Sequence, residues 1–291
     1  SAFLAASSFS FAEIALTEGL SVEGFVNAVY TDSSAENASF DLEEVEISFL
    51  FDSGAVSAQA DLQVTGEAQD DYDILDQAFI SYDVFGGTVS AGLMDSQLGF
   101  EAFEAPGLYT GSNAYSDNAG FPGTDEGVKF TMQLDEVSSI GFALLNANDT
   151  FIGDEALNSD TVIEVAYGRD LGNGFGAFVG YRSDDANSND LINAYVTYET
   201  GALTLAAEIF EGEDTSDIQL LANYAYAANA SVTVRYTTEE EATGAGTDDL
   251  DIVTLAHQLA LADNLSLITE VKDNGANDNE HEFGVSLLFT F

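Results

Sequence analysis

Residues 283–291 read Phe-Gly-Val-Ser-Leu-Leu-Phe-Thr-Phe, and the alternation within this stretch decides the fold class. The odd-numbered positions from Phe283 to Phe291 are all apolar, whereas the even-numbered positions are mostly small or polar. Successive side chains of a β-strand point to opposite faces. The stretch therefore predicts a strand with one apolar face and one largely polar face.

The same period of two recurs along the chain in segments of about ten residues, the length that a tilted strand needs to cross a bilayer. In one such segment, Val45, Ile47 and Phe49 alternate with Glu44, Glu46 and Ser48. We predict about sixteen strands, at residues 20–30, 39–51, 55–64, 72–82, 88–96, 127–134, 138–147, 159–168, 174–182, 190–199, 202–210, 216–226, 230–237, 249–260, 264–272 and 281–291. The parity of two segments stays open, because Asp76 in one and His257 in the other could point outward.

The connections between these segments alternate in length. Short turns such as 52–54 and 83–87 separate longer polar loops such as 97–126 and 148–158. An even-stranded membrane barrel has short turns at its periplasmic end and long loops outside, whereas Greek-key sandwiches do not keep this pattern. The sequence thus predicts an all-β, transmembrane, antiparallel up-and-down β-barrel that forms a single domain over residues 13–291. The small apolar residues 1–12 are predicted to be a signal-peptide remnant or an N-terminal arm.

Composition excludes several functions. The chain has 52 acidic residues against 5 Lys and Arg, a formal net charge of -47. Nucleic acid and polybasic membrane-surface binding are excluded because both need clustered cations. The absence of cysteine excludes disulfides, cysteine-based zinc sites and a cysteine nucleophile. The acidity itself is compatible with a high-salt-adapted surface, with a cation-attracting pore, or with both.

The pattern resembles the sixteen-stranded porins of Gram-negative bacteria. The resemblance rests on the terminal strand at 283–291, the alternation of short turns and long loops, and the long third outer loop at 97–126. The stretch from Gly92 to Gly127 is more particularly similar to the OmpL-like putative barrel porins. The resemblance implies a homotrimer in the outer membrane of a Gram-negative bacterium, in contact with outer-membrane lipids. It also implies that the third loop folds into the lumen and narrows it.

Charged residues on the predicted inner faces and on the third loop are candidate pore-lining residues. They are Glu44, Glu46, Asp61, Glu101, Glu104, Asp117, Lys129, Glu164, Glu208, Arg235, Glu270 and Lys272. Because rings of carboxylates favour cations, the set predicts passive diffusion of small hydrophilic solutes and ions with a cation preference. Porins commonly carry a dense Arg and Lys cluster at the constriction. The three dispersed cations here depart from that pattern and could orient solutes or neutralise nearby carboxylates.

No enzyme and no cofactor is predicted. The two histidines are His257 and His281, and no nucleotide- or phosphate-binding glycine motif is present. Acidic stretches at 214–217, 239–241 and 273–282 could bind Ca²⁺ loosely, although none has the spacing of a calcium loop. Whether the protein has a metal site therefore stays unknown from the sequence. Two non-channel alternatives stay open, both for an acidic structural or adhesive surface protein: a soluble sandwich, or a barrel plugged by its third loop.

Overall fold

The computed structural model describes residues 13–34, 37–65, 74–101, 104–115, 122–146, 161–184, 190–212, 216–243, 246–274 and 280–291. These residues form antiparallel strands and one short 3-10 turn, Ala105–Gly107. The strands are β1 (Ile14–Thr17), β2 (Leu20–Ser33), β3 (Ser39–Asp52), β4 (Val56–Thr65), β5 (Leu75–Val84), β6 (Gly87–Asp95), β7 (Thr124–Gln133), β8 (Ser138–Asn146), β9 (Thr161–Gly172), β10 (Phe175–Asp184), β11 (Leu191–Thr200), β12 (Leu203–Glu211), β13 (Ser216–Ala227), β14 (Ala230–Thr243), β15 (Gly246–Ala262), β16 (Leu265–Asn274) and β17 (Glu280–Thr290). Among the described residues, no helix has the length and apolar character needed to span a membrane.

The sixteen long strands, β2 to β17, close into a barrel. Each pairs with its neighbours in sequence, and β17 returns to pair with β2, so that Leu287 lies opposite Ala28. The predicted sixteen-stranded up-and-down barrel is confirmed, and the sandwich alternative is wrong because a sandwich keeps two separate sheets. The short β1, which the sequence did not predict, pairs with the start of β2 just beyond the position where Phe291 pairs with Gly24.

The largest differences from the predicted strand boundaries occur at two places. The hairpin of β14 and β15 continues in register to Thr243 and Gly246, through a segment predicted as the loop 238–248. Strand β9 likewise extends to Gly172, so that Arg169, predicted in a short turn, pairs within the sheet opposite Ser138. In both places the ladder of backbone hydrogen bonds continues through polar residues, because strand formation depends on pairing context more than on local composition.

Apolar side chains cover the outside of the barrel. Leu144, Val196 and Leu255 are each more than half exposed, and so are their counterparts on many other strands. In the terminal strand, Leu287 and Phe289 are exposed while the intervening Leu288 is buried. A water-soluble barrel would show the reverse arrangement, whereas an apolar outer band is what a lipid environment requires.

The structure shows which residues face inward in the two strands that the sequence left undecided. The register of β4 and β5 shifts opposite Asp61, which leaves Asp76 as an extra residue beside the inward-facing Gln77. A bulge of this kind re-aims a side chain, and Asp76 lies near interior carboxylates. In β15, Thr254 and Ala256 are buried, so His257 points outward, where its Nε2 lies 2.6 Å from the hydroxyl oxygen of Tyr226.

Candidate channel interior

The segment between β6 and β7, here called the third loop (residues 96–123), contacts opposite walls of the barrel. Its described residues are 96–101, 104–115 and 122–123. The amide of Gly99 donates to Asn193 Oδ1 of β11 at 3.0 Å, and the amide of Ala105 donates to Glu44 Oε2 of β3 at 3.1 Å. Strands β3 and β11 lie eight places apart in a ring of sixteen. A segment that reaches both from their inner faces runs across the interior.

Arg235 of β14 holds the middle of this loop. The side chain is 1% exposed, and its guanidinium donates to Glu101 Oε2 at 3.2 Å and to the carbonyl oxygen of Asn113 at 2.7 Å. It also donates to the carbonyl and hydroxyl oxygens of Ser112. Gln219 of β13 donates to the same Glu101 oxygen at 2.6 Å. One guanidinium therefore fixes two separate stretches of the loop, in the way that its planar array of donors allows.

The start of the loop is held by carboxylates on neighbouring strands. Glu164 of β9 accepts hydrogen bonds from the Ser96 hydroxyl at 2.7 Å and from the Gln97 amide at 3.1 Å. Arg182 of β10 bridges Glu164 and Asp125 at 2.9 and 2.7 Å. These charges are paired and hydrogen-bonded, as buried charges need to be.

An apolar cluster fills the space beside these polar contacts. Leu98 and Phe100 of the loop pack with rings from the wall, where Phe178 and Tyr195 stack with their centroids 4.6 Å apart. The cluster also contains Tyr115, whose ring meets Phe210 edge to face. Rings that interdigitate in this way exclude water from the space they occupy.

These contacts define a packed side, the inner faces of β8 to β15. Almost every inward-facing side chain on these strands is buried, from Ala143 on β8 to Ala256 on β15. Polar members are no exception, since Asn193, Gln219 and Thr254 are all fully buried. The packed side therefore leaves no route for a hydrated solute along the described part of its wall.

The open side is the inner faces of β4 to β7 together with the neighbouring Glu44 and Glu46 of β3. Inward-facing residues here are mostly half-buried, including Gln59, Gln63 and Lys129. At the short-turn end, a cavity of about 390 Å³ opens between β1 to β5 and is lined in part by Gln59 and Phe79. This cavity adjoins the open side through Gln59 of β4 and Phe79 of β5.

Carboxylates dominate the open side. Glu44, Glu46, Asp61 and Asp76 line its wall, and Glu104 faces them from the third loop. Burial and the facing carboxylates of Glu46, Asp95, Asp76 and Glu44 raise the pKa of Glu104 to about 9. The cation on this wall is Lys129, whose Nζ donates to the carbonyl oxygen of Asp95 at 3.0 Å. The local field is therefore negative.

The predicted pore-lining residues divide between the two sides. On the packed side, buried within or against the loop, are Glu101, Glu164, Glu208 and Arg235. On the open side are Glu44, Glu46, Asp61, Glu104 and Lys129. Glu270 and Lys272 lie on the inner face of β16, where Glu270 accepts a hydrogen bond from the Gly111 amide at 2.8 Å. Asp117 lies outside the described residues.

The sequence-based prediction of the pore lining did not include several residues of the barrel interior. Arg182, the last residue of a predicted strand, was not among the predicted pore-lining residues, yet it points inward because the alternation of β10 continues to its end. Asn193 and Gln219 occupy the polar parity of their strands, so the alternation itself contained the signal for them. Asp76 required the bulge, which no local pattern marks.

The acidic stretches considered for loose Ca²⁺ binding lie partly outside the described residues, which exclude 213–215 and 275–279. The stretch at 239–241, predicted in a loop, is part of β14. The predicted loop location of this stretch is wrong, because the hairpin continues beyond the predicted end of its strand.

Structural comparison places this barrel among porins. It matches a triple mutant of the Rhodopseudomonas blastica porin with a TM-score of 0.69 at 16% identity, covering 94% of this chain and 100% of that chain. It matches a loop-deletion mutant of OmpT, an outer-membrane protein of Vibrio cholerae, with a TM-score of 0.65 at 12% identity, covering 94% and 99%. At such identities the likeness concerns the fold.

Sequence comparison identifies the family. No curated protein matches the sequence. The family model described as putative beta-barrel porin-2, OmpL-like, matches residues 23–290, which is nearly the whole barrel. The chain therefore belongs to the OmpL-like putative beta-barrel porin-2 family.

Proposed function

We propose that the protein is a passive diffusion channel for small hydrophilic solutes in the outer membrane of a Gram-negative bacterium. Two features support this role: the apolar outer surface of the barrel, which suits contact with outer-membrane lipids, and membership of a porin family. Diffusion down a gradient needs no turnover and no cofactor, so the proposal is of a non-enzymatic protein.

The observation that carries the proposal is the unequal filling of the barrel. Side chains and the third loop fill the packed side, whereas the open side has mostly half-buried inward residues and adjoins a cavity of about 390 Å³. Sixteen strands enclose more space than side chains alone can fill. We place the solute path along the open side, with the third loop as its inner boundary.

We further propose that the channel prefers cations. The path would pass the half-buried Glu44 and Glu104, with the buried carboxylates of Glu46 and Asp61 in the adjoining wall and Lys129 as the opposing charge. Like charges around a narrow passage add their potentials. Screening at physiological salt acts beyond about 8 Å, so the discrimination arises at the constriction beside the third loop.

The assembly proposed is a homotrimer, by analogy with the general porins that the sequence resembles. Chemical cross-linking of the detergent-folded protein would give a trimer band on a denaturing gel. A protein that stays monomeric at all concentrations would contradict this assembly without affecting the proposed path within each barrel.

Reconstitution into a planar bilayer tests the function. We expect discrete conductance steps, and under a salt gradient a reversal potential of the sign that cation permeation produces. A reversal potential of the opposite sign would contradict the cation preference. The absence of steps from correctly folded protein would contradict the channel.

A second candidate function is that of a structural barrel closed by its loop. The burial of nearly the whole packed side, including the charges of Glu208 and Arg235, favours it. The two candidates differ only in whether the open side conducts. The same bilayer experiment separates them, because a plugged barrel inserts without producing steps.

A further inference from the structure

Three carboxylates from separate parts of the chain meet on the open side. Glu46 comes from β3, Asp76 from the bulge of β5 and Glu104 from the third loop. Each offers one oxygen, and these oxygens all lie within 4.8 Å of one another. Two of the groups belong to the wall and one to the loop, so a ligand that contacts all three joins the loop to the wall.

Buried oxygens at this place lack partners. Glu46 is 4% exposed, and although its Oε1 accepts a hydrogen bond from the Ser48 hydroxyl at 2.9 Å, its Oε2 has none among the described residues. Asp61, which is 1% exposed and interacts electrostatically with Glu46, has a buried Oδ1 in the same condition. A buried acceptor without a partner is destabilising, and more so when it is charged. Such an oxygen beside two further carboxylates is suited to contact a cation.

The protein's own cations do not supply that ligand. All five Lys and Arg residues lie in the described part of the chain, and the salt bridges found there involve Arg182, Arg235 and His281. Lys129 is the cation on this wall, and its ammonium group donates to the carbonyl oxygen of Asp95. The three clustered carboxylates therefore have no basic side chain in a salt bridge with them among the described residues.

We propose that Glu46, Asp76 and Glu104 bind a Ca²⁺ ion that ties the third loop to the barrel wall. Calcium binds six to eight oxygens at about 2.3–2.6 Å in flexible geometry, so oxygens that share one ion lie within about 5 Å of one another, as these do. Magnesium demands near-ideal octahedral geometry and is usually held by only one or two carboxylates. The donor set of three carboxylates therefore suits calcium, with water completing the coordination.

The site changes how the channel would work. A bound Ca²⁺ neutralises part of the negative field on the open side and holds Glu104 against β3 and β5. This consequence for conduction rests on the proposed function, but the binding itself does not. Binding is measurable on protein in detergent without any conductance, so failure of one proposal is distinguishable from failure of the other.

The test is calorimetric titration of the detergent-folded barrel with calcium chloride, after removal of divalent cations, in about 0.15 M sodium chloride to suppress diffuse binding. We expect one saturable site per chain. Glu104→Gln and Asp76→Asn should each weaken it by about tenfold or more, because each removes a carboxylate ligand. Glu136→Gln makes the same chemical change in an exposed short turn and should leave binding unchanged.

Two results would overturn the site. One is the absence of a saturable site in the unaltered protein. The other is a saturable site that survives in folded Glu104→Gln and Asp76→Asn variants. Folding is checked for each variant by its heat-dependent mobility on a gel. Should either variant fail to fold, Glu46→Gln, measured alongside the other, decides the outcome.

Discussion

The packed side and the open side of this barrel are built from the same kind of strand, yet their interiors differ. On both sides apolar residues face outward and polar residues face inward. On the packed side, the third loop covers the inward polar groups and pairs them, as Arg235 does with Glu101. On the open side, the loop brings another carboxylate, Glu104, toward a wall that is already acidic. Strand alternation thus builds the barrel, and the loop determines which part of its interior is filled.

Removing Arg235 should have the largest effect on this difference. Arg235→Ala leaves Glu101 buried without its charge partner and frees the backbone at Ser112 and Asn113. Breaking a buried ion pair in this way costs about 3–5 kcal/mol. We expect the free energy of unfolding in urea to fall by that amount, and single-channel conductance to become larger and noisier.

The matched control is Arg169→Ala, which makes the same change at an exposed arginine near the short-turn end of β9. Surface changes of this kind stay within about 0.5 kcal/mol. Equal effects of the two substitutions on stability and on channel noise would show that Arg235 does not hold the loop.

Truncating the apolar contact of the loop should have the next largest effect. Leu98 is 3% exposed within the cluster of rings on the packed side. Leu98→Ala should lower the free energy of unfolding by about 2–4 kcal/mol, because it removes buried methyl groups and leaves a cavity. Leu261→Ala, at a half-exposed position near a turn, serves as the control in the same urea titration. A smaller loss for Leu98→Ala than for the control would mean that the cluster does not secure the loop.

Titration of Glu104 should alter ion selectivity by a smaller amount. Its pKa of about 9 means that the group is protonated at pH 7 in calcium-free solution and ionises as the pH rises toward 10. One added charge about 8 Å from the path contributes about 0.5 kcal/mol in water, or about twofold in the permeability ratio. Reversal potentials in chelator should therefore show cation preference rising about twofold between pH 7 and pH 10.

Glu104→Gln should reduce this pH dependence, and an unchanged dependence in that variant would assign it to another group. The stability effect has a defined sign. The folded pKa of Glu104 lies above its unfolded value of 4.5, so the stability that this group contributes to the folded protein is complete below pH 4.5. That contribution is lost as the pH rises through about 9.

Neutralising Lys129 should have the smallest effect, a slight change in ion selectivity. Lys129→Gln removes the cation from the open side, where Asp95 already offsets part of its field. Cation preference should rise by less than about twofold, because the site remains partly screened. Arg169→Gln, on the outer face of the barrel, should change nothing. A fall in cation preference for Lys129→Gln would contradict its placement beside the path.

The fold was predictable because the alternation of apolar and polar residues that specifies the strands of the barrel is a local feature of the sequence. Residues 283–291 show it most clearly, and the lengths of the connections supplied the topology. The hairpin beyond Thr238 was not predictable, because polar residues can pair as well as form loops. For the site, the sequence predicted which residues face the interior but not which contacts they make. Alternation identified Glu44, Glu208 and Arg235 as inward-facing, but which of them the loop would cover depends on contacts across the barrel.

Modification of introduced cysteines tests whether solutes pass along the open side, because the chain has no cysteine of its own. Gln59→Cys places a thiol beside the cavity of the open side, whereas Thr254→Cys places one on the packed side, where Thr254 is fully buried. In a planar bilayer, a small cationic thiosulfonate should reduce current through the Gln59→Cys channel and leave the Thr254→Cys channel unchanged. Block of the Thr254→Cys channel alone would contradict the account, because the path would then follow the packed side.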